Sequence, residues 1–307
     1  MITLTTDKGL VRLESWDDVL SRPGFVTDLN PRKVKLERII GSYALFPFLP
    51  CGLSSCHRSH GKGYLVATSD GRETNIGKDC GKRHFDVVFE RLSKAFDRDL
   101  RNKERRETLV ALQHRIPAIE ERIAALMDGT CGARWINKYA GRLRDPVKGP
   151  PTTVIAIVDG LVRRRSGALT RSRVATAEDL DHMRAVGQRI QPGDNYIEEV
   201  VGQLDGVATL YKENDLRRLL VLGMANLATV KALDVDGAKE KTLRDLAKWN
   251  ESIEPTLAQA AEVIALGRRL LTQENLRRLL PMLSNKEDRQ GFNAFLAELP
   301  EGEMLEA

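Results

Sequence analysis

Cysteine and histidine crowd into one short stretch of this chain. Three of the four cysteines and three of the five histidines fall within the 34 residues CGLSSCHRSHGKGYLVATSDGRETNIGKDCGKRH, in a protein of 307. Thiolate and imidazole at paired spacing suit tetrahedral zinc. Cys51 and Cys56 are separated by four residues, enough for a tight loop to aim both sulfurs inward, and Gly52 relieves backbone crowding there. Cys80 and His84 are four apart, so on a helix their side chains share a face. A helix N-terminus also favours a thiolate through its dipole. The expected ligands are Cys51, Cys56, Cys80 and His84, with His60 the alternative to His84. His57 follows Cys56 directly and is expected to be exposed. Four protein ligands leave no position for water, so the expected role of the zinc is structural. A catalytic site of three ligands and water would need a general base such as Glu73 near the ion. Cys131, left over, reads as a half-buried apolar thiol.

The elements that must position these residues can be read from the surrounding pattern. Ile2–Thr5 and Leu10–Leu13 alternate around Asp7-Lys8-Gly9 as a hairpin, and Ser15 with Asp18 can cap a short helix through Leu20. A basic stretch, residues 31–35, leads to an apolar segment ending at Pro47 and Pro50. Within the cysteine module, residues 63–68 and 73–76 read as strands joined by Ser69-Asp70-Gly71. Asp79 is a candidate N-cap for the helix that follows. The module spans residues 51–86, after an N-terminal segment, 1–50. With so little apolar content it is expected to need its metal to fold.

From 85 to 145 the chain reads as long helix. Phe85, Phe89, Leu92, Phe96 and Leu100 share one face, and Leu109, Leu112, Ile116, Ile119, Ile123 and Leu126 repeat at 3-4-3-4-3 spacing, the seam of a coiled coil. Pro117 is expected to kink this helix or to open a new one. The proline-rich stretch 145–151 is the expected domain boundary, followed by a helical domain over 152–307. Helices are expected over about 153–165, 177–189, 194–212, 215–233, 238–250, 254–271, 273–283 and 285–298, several opened by capping signals (Thr176 with Asp179, Thr272 with Glu274, Ser284 with Glu287). The fold class is therefore mainly α, with a small α+β zinc module ahead of long coiled-coil-like helices and a C-terminal helical domain.

Composition agrees. Hydrophobic residues make up 42% and charged residues 30%, which supports a packed core and excludes global disorder. Aromatics at 5% favour helix over sheet. The N-terminus shows no cationic stretch before an apolar run, and the longest apolar run, Val154–Val158, is far too short to cross a bilayer. A reducing, cytoplasmic setting without membrane association is the expectation. The net charge of +5 permits a polyanionic partner.

In outline, CGLSSCHRSHGKGYLV…NIGKDCGKRHF resembles treble-clef zinc proteins of phages and mobile elements, in which a Cys pair precedes a hairpin and an Ile/Val-Gly-x-x-Cys segment opens the next helix. The resemblance covers about 35 of 307 residues and departs from the short C-x2-C knuckle. It implies metal binding and a loose link to DNA or RNA transactions. HNH nucleases also use this scaffold, but no Asp-His pair stands on the first strand with an Asn/His partner on the helix.

Three basic clusters can face phosphate. One lies in the module, with Arg58, Lys62, Lys82 and Arg83 beside Arg72 and Lys78. The second, Arg98, Arg101, Lys103, Arg105 and Arg106, is interleaved with acids and reads as a solvated helix face. The third is Arg163, Arg164 and Arg165 with Arg171 and Arg173. Tyr64 is read as a base-stacking ring or as core under the hairpin. Phosphate loops, nucleophile elbows and His-Glu-x-x-His are absent, and His114 and His182 sit in ordinary helical patterns. The expected function is a non-enzymatic, zinc-stabilised nucleic-acid-binding accessory protein binding DNA or RNA. The alternatives are an interaction adaptor that pairs with a protein partner or itself through residues 109–126, and a metal-dependent nuclease or hydrolase.

Overall fold

The computed structural model describes residues 1–6, 9–186 and 196–302, divided into two compact units. The first comprises residues 1–110 with 234–247, and the second residues 111–233 with 248–307. No helix among the described residues is long and apolar enough to cross a membrane. Mainly helical architecture with a small antiparallel sheet is as expected.

The first unit is built on a five-stranded antiparallel sheet. Its strands are β1 (Ile2–Thr6), β2 (Gly9–Leu13), β3 (Leu36–Pro50), β4 (Ser59–Thr68) and β5 (Glu73–Ile76), in the order β2-β1-β3-β4-β5. The N-terminal hairpin forms, although Asp7 and Lys8 of its expected turn lie outside the described residues. Helix α1 (Asp17–Leu20) follows; at its start the Ser15 N–H donates to the Asp18 carboxylate, as expected, while the Ser15 hydroxyl accepts from the Asp17 N–H rather than from Asp18. Because side chains alternate along a strand, β3 and β4 feed two cores. Ile39 and Val66 join Leu29, Cys51, Leu53, Ile76, Phe85 and Phe89, while Ile40, Leu65 and Ala67 join Ile2, Leu4, Val19 and Tyr43. The cysteine module is therefore not an apolar-poor appendage. Cys51, 1% exposed, is part of the first core.

Helix α2 (Lys78–Asp128) carries Cys80 in its first turn but is broken at Asp86, whose φ of 44° and ψ of −128° are non-helical. The residues that carry Cys80 and His84 are thus a short helix, and the long helix starts beyond Asp86. Neither Pro nor Gly announces this break. Pro117 sits exposed inside the helix, with Asp86 the one non-helical residue there.

The second unit holds the later part of α2 with α3 (Ala133–Arg142), α4 (Thr152–Arg164), α6 (Leu216–Lys231), α8 (Ile253–Leu270), α9 (Gln273–Leu276) and α10 (Lys286–Leu296); α3, α6 and α8 pack on one another, and Ile119 and Ile123 of α2 line a cleft with α6 and α8. Helix α7 (Glu240–Asn250) leads from the first unit's residues back to the second's. The Thr176–Asp179 cap forms as read; Thr272 also caps its helix, accepting from the Asn275 N–H rather than pairing with Glu274, and Asn285 rather than Ser284 caps α10.

Two expectations need correction. The stretch 145–151 lies inside the second unit. Asp145 Oδ1 accepts the N–H groups of Val147 and Lys148, and Arg142 holds the Lys148 carbonyl, so the prolines belong to an ordered turn. The C-terminal region is also not all helix. An antiparallel ribbon pairs β6 (Ala168–Val174) with β7 (Tyr196–Gln203), the latter standing where helix was expected over 194–212, and α5 (Ala177–Ala185) lies between the two strands in sequence. Arg171 lies opposite Glu199, and Thr170 opposite Val200. Opposed charges and β-branched pairs stabilise such a ladder. Residues 187–189 and 194–195 of the expected helices lie outside the described residues.

Candidate metal centre

Three of the four expected ligands come together. The loop after β3 carries Cys51 and Cys56, the hairpin β4–β5 returns the chain, and the first turn of α2 brings Cys80 to the same place. The three Sγ atoms all lie within 4.8 Å of one another, with Cys56 and Cys80 3.2 Å apart. Burial pushes the Cys51 thiol up, and burial with a hydrogen bond donated to Cys56 pushes Cys80 up to about 12. Cys56 is held below the ordinary thiol range by a hydrogen bond from the Arg58 backbone and another from Cys80. Three crowded thiols cannot all ionise without a cation. A bound metal deprotonates its thiols outright, so this donor set fits a thiophilic ion such as zinc.

The fourth position is not assembled. His84 is half-buried on the turn after Cys80, but its Nε2 stands 3.4 Å from Ser55 Oγ rather than within the sulfur cluster. His60, the alternative, has both ring nitrogens engaged. Its Nδ1 lies 3.1 Å from the Arg58 carbonyl, which only accepts, so Nδ1 carries the proton. Nε2 then accepts from the Tyr43 hydroxyl at 2.6 Å. His60 is thereby committed to the fold. His57, exposed as expected, reaches Asp28 at 3.2 Å.

These bonds belong to a buried network that shapes the metal loop. The Asn75 side-chain amide donates to the Tyr43 oxygen at 3.2 Å and to the Pro50 carbonyl at 2.8 Å. The Cys51 N–H donates to the Arg58 carbonyl, and the Gly52 N–H to the Asn75 carbonyl. Pro50 and Arg58, the residues flanking the loop, are thus tied by one chain of side chains. Gly52 is obligatory: a Cβ there would lie 2.0 Å from Thr74 Oγ1. Sequence reasoning missed Tyr43 and Asn75, because nothing local marks a tyrosine and an asparagine 32 residues apart as partners.

Other candidates resolve plainly. Glu73, the possible general base, is buried and paired with Arg22 through both oxygens, at 2.7 and 2.9 Å. Tyr64 is core: its ring packs edge-on against Phe89 and Phe96, and its hydroxyl donates to Asp97 at 2.9 Å. Burial, the bond to Asp97 and its charge push the Tyr64 hydroxyl up to about 12, from an ordinary value of 10.0. A raised folded-state value means the contribution is complete below pH 10.0 and lost as pH climbs through about 12. Thermal melts of the first unit should therefore fall over that alkaline window, and Tyr64→Phe should shrink the fall. An unchanged alkaline decline in Tyr64→Phe would refute the assignment.

Of the basic residues, Lys82 pairs with Glu90 at 2.9 Å, Arg165 with Glu213 while lying over the Tyr211 ring, and Arg173 with Asp179 and Glu199. Among the described residues Arg58, Lys62 and Arg83 in the first unit, and Arg163, Arg164 and Arg171 in the second, are exposed and form no ion pair. Of the second cluster, Lys103 and Arg106 hold backbone carbonyls of Leu10 and Val235. The helical seam is filled by the chain itself. Leu112, Ile116, Ile119 and Ile123 are buried; Gln113 donates to the Val230 and Leu233 carbonyls, and Ile119 and Ile123 line a cleft with Leu227, Ile253 and Leu257.

Comparison of the chain with known protein families, curated proteins and solved structures finds no match.

Proposed function

We propose that this chain is a zinc-stabilised nucleic-acid-binding protein, non-enzymatic, of the treble-clef kind found in phages and mobile elements. Cys51, Cys56 and Cys80 hold the ion, and His84 leaves Ser55 to complete the set. The metal supplies structure, closing the loop onto the start of α2. The observation that carries the reading is the assembled sulfur cluster with unpaired Arg58, Lys62 and Arg83 on the elements around it. Such cations attract phosphate without reading sequence. The commitment of Glu73 to Arg22 argues against a hydrolytic centre.

The test is the salt dependence of binding by the metal-loaded full chain to DNA and RNA. Affinity should fall linearly with salt on logarithmic axes. Replacing Arg58, Lys62 and Arg83 by alanine should reduce the slope by about 0.7–0.9 for each phosphate that is no longer neutralised. Absence of binding at low salt by zinc-loaded protein overturns the reading.

A further inference from the structure

In the first unit, strand β3 does something unusual just before the metal loop. Its register with β4 runs Ala44 opposite Lys62 and then Leu49 opposite His60, so Leu45–Phe48 bulge out opposite the single residue Gly61. Leu45 and Leu49 turn inward onto the core around Ile2, Ile40 and Tyr43. Phe46 and Phe48 turn outward, 91% and 61% exposed, with ring centroids 6.3 Å apart at 81°. The bulge is seated: the Phe48 ring lies where a Cβ on Gly61 would be, 2.7 Å away. A scattered exposed hydrophobe needs no explanation, but two adjacent rings fixed at the apex of a bulge do. Lys62 and, two residues before His60, Arg58 are the exposed cations on the facing strand and loop, neither in an ion pair among the described residues.

We infer that Phe46 and Phe48 form a stacking platform for single-stranded nucleic acid, with Lys62 and Arg58 taking the flanking phosphates. The inference rests on the nucleic-acid reading above and specifies its substrate. Aromatic faces beside unpaired cations are the surface that single strands use, because their bases are free to leave their neighbours, whereas duplex bases are stacked within the helix. Charge complementarity selects a polyanion. The apolar tip is only two rings wide, since Leu45 and Leu49 face the core, and that is too little area for stable insertion into lipid. The metal loop begins three residues after Phe48, which gives the zinc a further consequence: it stiffens the base of the platform.

The experiment is fluorescence anisotropy of the zinc-loaded full chain with labelled oligo(dT), a duplex of equal length, and vesicles containing phosphatidylglycerol. Wild type should prefer the single strand. The double variant Phe46→Ala, Phe48→Ala should lose about tenfold or more in oligo(dT) affinity, as expected for deleting base-stacking rings. Its salt slope should be unchanged, because no charge is removed. Phe46→Trp should retain binding, and Phe46→Leu should lose it, since leucine keeps apolar area without an aromatic face. Phe46→Ala alone serves if loss of Phe48 from Gly61 disturbs the fold. Oligonucleotide binding that is indifferent to these variants overturns the platform while leaving the nucleic-acid reading intact. No binding by wild type overturns both. Aromatic-dependent vesicle binding without an effect on oligo(dT) overturns the platform in favour of a membrane contact.

Discussion

Stripping zinc from the loaded protein with a strong chelator is expected to lower the melting transition of the first unit by about 20 °C or more. The argument starts from the thiols. The three sulfurs lie within 4.8 Å of one another on a loop and a helix start that no strand pairing joins. Structural zinc contributes roughly 10–16 kcal/mol of apparent binding energy at neutral pH. The two cores that flank the sheet retain part of the fold without it, so about 5 kcal/mol is the least expected loss, and each kilocalorie moves a domain of this size by roughly 4–8 °C. The individual cysteines should not be equivalent. Cys51 is 1% exposed within the core of Leu29, Leu53, Ile76 and Phe89, whereas Cys56 is half-buried. Cys51→Ser places a hydroxyl among apolar side chains and should destabilise even the metal-free protein, by roughly 1–3 kcal/mol more than Cys56→Ser. Thermal unfolding by circular dichroism with and without chelator, alongside metal analysis, decides this. Superimposable melts, or purified protein without metal that is fully stable, would refute a structural ion.

What the sequence disclosed, and what it withheld, follows the range of the interactions involved. The cysteine loop, the β4–β5 hairpin and the Thr176–Asp179 cap are local, and ligand type, alternation and capping chemistry betrayed each of them. Strand β3 was obscured because its bulges break the two-residue period: Leu36 and Ile39, three residues apart, share one core, Ile40 and Tyr43 share the other, and four residues are extruded opposite Gly61. The ribbon β6–β7 was hidden for a different reason. Glu198, Glu199 and their neighbours suit a helix in isolation, and only pairing with Arg171 and Ser172 makes them strand. Periodicity in α2 announced a buried stripe at Leu112–Ile123 correctly but could not say what buries it; α6 and α8, a hundred residues later, do. The break at Asp86 carries no residue signal at all. His60 stood as the alternative to His84 because the bonds that engage it come from Tyr43 and from the Arg58 backbone in a geometry set by the sheet.

That network supplies the second large effect. Asn75→Ala should cost about 2–4 kcal/mol of stability and weaken zinc binding about 10–100-fold, although Asn75 touches the metal loop only through its frame. Asn75 is 3% exposed, and its amide donates at once to Pro50 and Tyr43. Alanine leaves the Tyr43 oxygen, on a residue 3% exposed, without that donor, and an unsatisfied buried polar group costs roughly 1–3 kcal/mol; the lost hydrogen bond to the Pro50 carbonyl adds about 1 kcal/mol. The consequence then propagates by position. Pro50 precedes Cys51, while Tyr43 fixes His60, whose Nδ1–H holds the Arg58 carbonyl that also receives the Cys51 N–H. Slackening both flanks of the loop lets Cys51 and Cys56 leave the separation at which they meet Cys80. Asn75→Asp should fail to rescue, because a carboxylate accepts where donation to Pro50 is required. Competition with a chromogenic chelator measures the metal affinity, and melts in saturating zinc measure the stability. A variant that loses stability but binds zinc as wild type does would show that the network supports the sheet alone, and that the loop is held by its ligands.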